Sequence, residues 1–106
     1  MNEVETVKIK IGEEELTLTP SPKAMSKVSQ AFGGILNAVD RVQRFDTDAI
    51  AFAIAAGADL AEAEREALPR RIFATGITEL LVPTVRFLGL LASGGRRSKP
   101  ADEKAA

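Results

Sequence analysis

The stretch Ile77–Ala92, ITELLVPTVRFLGLLA, limits the possible folds more than any other part of the chain. At about 100° per residue, Ile77, Leu80, Leu81, Val85, Phe87, Leu88 and Leu91 share one broad helical stripe, which suits a helix facing a core. Val82 and Leu90 then fall on the opposite side, where only Glu79 and Arg86 carry charge. A chain of 106 residues has little interior in which to hide a second apolar face. Two arrangements answer this. Either the segment is the central helix of a small bundle, wrapped by its neighbours, or another protein covers its second face.

The residue inventory closes off much of enzymology. The chain has no Cys, which excludes a disulfide framework, a thiolate zinc site and a cysteine nucleophile. It has no His, the commonest general base and metal ligand. Trp and Tyr are missing too, so Phe alone is left for aromatic packing or base stacking. A net charge of −1 gives no pull toward nucleic acid or anionic membrane. The N-terminal MNEVETVKIKIGEEE lacks the apolar run of a secretory signal. Ile77–Ala92 is shorter than the roughly 20 residues of a membrane span and contains Glu79, Pro83 and Arg86. A cytoplasmic protein is expected.

Periodicity predicts an α+β fold. From Thr6 to Thr19, Val7, Ile9 and Ile11 alternate with Lys8 and Lys10, and Leu16 and Leu18 with Thr17 and Thr19. That pattern is a β-hairpin reversing at Gly12-Glu13, with one apolar face to lay on helices. Ser21 and Pro22 supply an N-cap and first helical position, and Met25, Val28 and Phe32 form the stripe of a helix that Gly33-Gly34 ends. Ile35, Ala38, Val39, Val42 and Phe45 continue a helical pattern, with Asp40, Arg41 and Arg44 toward water. Asp46-Thr47-Asp48 starts the next helix, with Ile50, Ala53 and Ile54 inward, Phe52 pointing the other way and Gly57 as C-cap. Ala58 to Leu68 is a short acidic helix or helical loop that Pro69 interrupts, after which Ile72 and Phe73 turn inward as far as Gly76. Thr78 caps the last helix, and Pro83 should kink it. The expected architecture is an N-terminal hairpin packed on four to five short helices. Residues 1–92 form the single domain, and residues 93–106, SGGRRSKPADEKAA, a disordered tail.

Candidate sites are few. Glu13–Glu15 and the acids Glu62, Glu64 and Glu66 lie in polar, turn-like surroundings, without the desolvation that raises a catalytic carboxyl. They also lack an EF-hand-like arrangement. Gly33-Gly34 has no P-loop Lys-Ser/Thr pair beside it. The helix after Asp46 carries no Lys, Arg, Asn or Gln for base contacts, and Arg70-Arg71 and Arg96-Arg97-Lys99 are short basic spots among many acids. No catalytic, cofactor or metal residue is assigned, and no small-molecule, nucleic-acid or membrane partner. What remains is a helical surface for another protein, with Phe52, Val82, Phe87 and Leu90 as the expected contacts.

The order of parts resembles the phage tail-assembly chaperones, those of gene transfer agents above all. The resemblance runs through VKIKIGEEELTLTPSPKAM, SKVSQAFGGILNAVDRV, DTDAIAFAIAAGA and ATGITELLVPTVRFLGLLASG, covering Val4 to Gly94. Pro69 and Pro83 depart from the pattern. The resemblance implies a non-enzymatic factor in the host bacterium's cytoplasm that coats the helical tape-measure protein until tail tube subunits displace it. Some members of the group are described as tail tube proteins, so a tube or minor tail subunit is the structural alternative, and a small DNA-binding regulator a second one. Burying Val82, Leu90 and Phe52 gains about 5 kcal/mol gross, against roughly 4–15 kcal/mol for association. One copy should bind weakly, with occupancy coming from many copies on one partner or from weak homo-oligomers.

Overall fold

The elements follow in the order β1 (Val7–Ile11), β2 (Glu14–Leu18), α1 (Pro22–Phe32), α2 (Ile35–Gln43), α3 (Thr47–Ala58), α4 (Glu62–Thr75) and α5 (Ile77–Ala92). They come from a computed structural model that describes residues 4–96. Among the described residues the architecture is α+β, a two-stranded hairpin on five helices. No helix among the described residues is long and apolar enough to cross a membrane.

Alternation makes the hairpin one-sided. Val7, Ile9, Ile11 and Leu18 are buried on one face, while Lys8, Lys10 and Thr17 stay on the other. The antiparallel register pairs Val7 with Leu18 and Ile9 with Leu16, and Gly12 takes the positive φ of 65° at the reversal. A lone hairpin is marginal in water, and this one is held by helices. β1 packs on α4 and α5, and β2 on α3. Backbone hydrogen bonds add to the seam: Thr19 N–H donates to the Gly57 carbonyl at 2.9 Å, and Glu5 N–H to the Gly95 carbonyl at 2.8 Å.

N-cap side chains set two of the five helix starts among the described residues. Ser21 Oγ accepts from Ala24 N–H at 3.0 Å with Pro22 at the first turn of α1, and Asp46 Oδ1 accepts from Ala49 N–H at 3.2 Å at the start of α3. Gly33, at φ 75°, turns the chain out of α1, and Gly34 N–H returns to the Ser29 carbonyl. Other boundaries differ from the sequence expectation. α2 stops at Gln43, so Phe45 stands beyond it in the left-handed region rather than on its stripe. Gly76, not Thr78, precedes α5. Both Pro69 and Pro83 lie inside helices that continue past them, because packing on both sides outweighs one lost backbone bond.

Gly57 is an interior residue of α3 and not its cap, since the helix ends in Asp59 at φ 55°. The reason is contact. A Cβ on Gly57 would lie 2.8 Å from Cζ of Phe87 and 3.0 Å from Cβ of Leu18. Only a glycine lets α3, α5 and β2 meet there.

α5 is the central helix. It touches β1 and each of α1 to α4. Leu80, Thr84, Phe87, Leu88, Leu90 and Leu91 are buried, and Ile77, Leu81 and Val85 half-buried. The two-sided apolarity of this segment therefore has mainly an internal cause. At about 100° per residue Leu90 sits only about 80° round from Val82, at the edge of the arc that the neighbours cover. At its end, the expected disordered tail begins too early. Gly94 at φ 76° donates to the Leu91 carbonyl and Gly95 to the Leu90 carbonyl at 2.7 Å, a Schellman closure that seats Gly95 on Val4 and Pro20. Residues 97–106 of that tail lie outside the described residues.

Two glycine substitutions should act in opposite directions. Gly57→Ala should cost about 1–3 kcal/mol by forcing Phe87 aside. Gly89→Ala, with nothing within 4 Å of the added methyl, should gain about 0.5–1 kcal/mol. Urea unfolding of the two variants against the parent checks both signs.

Candidate functional site

The expected partner contacts divide into two groups. Phe87 is completely buried against Gly57, and Leu90 keeps only 5% exposure. Both belong to the core and leave no face for a partner, because five neighbouring elements close around α5. Val82 is 62% exposed and Phe52 37% exposed. These two stand on different surfaces.

Val82 occupies the uncovered strip of α5. With Arg86 and Gly89 it follows the spacing i, i+4, i+7, so the three line one outward edge. Glu79 lies on the same side. Gly89 needs no special backbone conformation and has open space where a side chain would be, so the strip is low there. It combines one apolar side chain, one cation and a gap through which another backbone can come close.

Phe52 stands on the wall of an open groove between α1, α3 and α4, with a volume of about 720 Å³. α1 contributes Lys27, Gln30 and Ala31. α3 contributes Asp48, Ala51, Phe52, Ala55 and Ala56, and α4 Arg65 and Pro69. Short alanine side chains make up much of its lining, and charge is confined to Lys27, Asp48 and Arg65.

A chain of contacts fixes the Phe52 ring. Its partner is Phe32 of α1, edge to face, with ring centres 5.5 Å apart and planes at 85°. The Arg41 guanidinium of α2 lies 5.3 Å over the Phe32 ring and donates from Nε to Asp46 Oδ2 at 2.6 Å. Asp46 in turn caps α3, the helix that bears Phe52. The Arg41 hydrogen bond holds the Asp46 carboxyl below its usual range, against a smaller opposing effect of desolvation and with help from the Ala49 N–H. Arg41 faces water as its helical position suggested, its side chain 49% exposed, and it also ties helices together.

Three exposed apolar side chains differ from or escape the sequence expectation: Met25, placed on the α1 stripe, is 43% exposed while its neighbour Ala24 is buried, and Leu36 and Phe73 join it. Leu36 is 83% exposed, and Phe73, expected to turn inward with Ile72, is 88% exposed while Ile72 is buried. A signal for Phe73 was present. Glu62, Glu66, Pro69 and Phe73 are spaced four, three and four residues apart, so one continuous helix puts the ring on the same edge as two acids. Reading a break at Pro69 hid that register. Arg71 is not a free basic spot either, since it bridges to Glu14 of the hairpin at 2.6 Å.

Among the described residues no group of three or more His, Cys, Asp or Glu is placed to hold a metal ion. Comparison with family models, with curated proteins and with solved structures gives no match.

The Asp46 tie has a pH signature. Its lowered carboxyl contributes stability above the ordinary value of 3.8, and that contribution is lost as pH falls through the lowered value. Asp46→Ala should therefore cost about 1–2 kcal/mol at neutral pH, and the gap to the parent should close below about pH 4. Chemical unfolding across a pH series measures it.

Proposed function

We propose that this protein is a non-enzymatic assembly factor of the tail-assembly chaperone type, acting in the cytoplasm of a host bacterium. In this reading it covers a helical tape-measure protein until tail tube subunits polymerise around that partner. Two lines support it: the ordered likeness from Val4 to Gly94, and a surface that offers apolar contact without a cluster of reactive groups.

The single observation that carries it is the strip at Val82. The longest helix of the described residues is enclosed on nearly every side, yet it keeps a valine 62% exposed beside an unfilled gap at Gly89. An exposed mid-helix glycine costs about 1 kcal/mol relative to alanine, and no contact inside the molecule requires it. Close approach of a partner helix gives that residue a use. Arg86 and Glu79 at the margins set its register.

The strip is small, and its size suits a reversible cover. Burying one valine gains about 1.5–3 kcal/mol, less than the roughly 4–15 kcal/mol that association costs. Many copies along one extended partner are then needed for occupancy, and each can leave in turn. Co-expression with the tape-measure protein and pull-down tests this reading. Val82→Asp should reduce capture at least tenfold with little change in thermal stability, because the side chain is already in water. Equal capture by the variant and the parent would place the partner elsewhere.

A further inference from the structure

The α1–α3–α4 groove and the exposed Phe73 lie side by side on α4. Pro69 lines the groove, and Phe73 follows it by four residues on the same side of the helix, about 6 Å further along. The groove lining includes Ala31, Ala51, Ala55 and Ala56, short side chains that leave room for one long one. Phe73, 88% exposed, is the most exposed large apolar side chain of the described residues. One patch therefore holds both a projection and a depression that matches it. Such self-complementarity is what a two-fold pair of identical chains requires.

Charge points to the same occupant. Lys27 and Arg65, on the groove lining, form no ion pair among the described residues, and Asp48 is the single carboxylate there. The element that fills the groove should bring an aromatic ring to the Arg65 guanidinium, which already donates to the Leu60 carbonyl at 3.2 Å. The outer edge of α4 carries such a ring in Phe73.

We propose that this patch pairs with itself. In the dimer the two α4 helices cross antiparallel near Pro69. Each inserts Phe73 into the other copy's groove, against its Arg65 and Phe52. One helix and one shallow groove per copy fall below the standard interface size of about 1,600 Å², so the dimer is weak and forms at high protein concentration. It uses a face of the molecule other than the Val82 strip and does not depend on what that strip binds.

Sedimentation equilibrium of the full chain from about 10 μM to about 1 mM, a range chosen for a weak pair, tests the proposal. The parent's average mass should climb from the 11.3 kDa monomer toward twice that value. Phe73→Asp should weaken self-association at least tenfold with an unchanged melting curve, and Arg65→Glu should weaken it as well. Val82→Asp should dimerise like the parent. A parent that stays monomeric at the highest concentration would overturn the proposal, as would undiminished dimerisation of Phe73→Asp. Loss of the dimer in Val82→Asp alone would overturn it too, by placing the contact on α5. A monomeric parent whose groove resonances shift on adding a designed amphipathic helical peptide would give the groove to a partner helix and retire the self-pairing.

Discussion

The fold depends on one close approach, where the backbone of α3 at Gly57 meets the Phe87 ring of α5 and the Leu18 side chain of β2. The Gly57 carbonyl also accepts the backbone hydrogen bond from Thr19, so the sheet and α3 are stitched at the same residue. No side chain intervenes at this junction, and α3 can lie directly on α5. The consequence reaches the surface. With α3 seated there, and β1, α1, α2 and α4 also against α5, this long apolar helix becomes the axis of the fold. Only the edge bearing Val82, Arg86 and Gly89 is left open.

A second set of contacts orders the other face. Asp46 caps α3 and binds Arg41 of α2; Arg41 lies on Phe32 of α1; Phe32 meets the edge of Phe52, back on α3. Three helices are joined in a loop that begins and ends on the same element. Each link is modest alone, as an aromatic pair or partly exposed ion pair is worth about 1 kcal/mol. Together they set the side of the groove to which Phe52 belongs. A carboxylate whose proton affinity is lowered by an arginine thus stands behind an apolar surface several residues away.

Patterns that act locally were plain in the sequence. Strict alternation gave the hairpin and its buried face, and Ser21, Pro22 and Asp46 announced two helix starts by side-chain chemistry that needs no tertiary knowledge. What the sequence hid was set by distant neighbours. Gly57 resembles a helix end until Phe87 is found against it. Pro69 and Pro83 resemble breaks, but packing carries both helices through, and that continuity puts Phe73 outward. Leu90 and Phe87 resembled surplus apolar surface because the extent of cover around α5 depends on five other elements at once. Of the four expected contacts, Val82 and Phe52 are exposed, on separate faces.

The central claim is that α5 is enclosed except along one edge, and that this edge is where a partner meets the chain. Methyl NMR with a soluble paramagnetic gadolinium chelate addresses it directly. In the free protein the Val82 methyls should broaden strongly while those of Leu88 and Leu90 stay sharp, and adding a helical tape-measure segment should restore the Val82 signals. Equal broadening of Leu90 and Val82, or Val82 signals that stay broad once the segment is bound, would contradict the account.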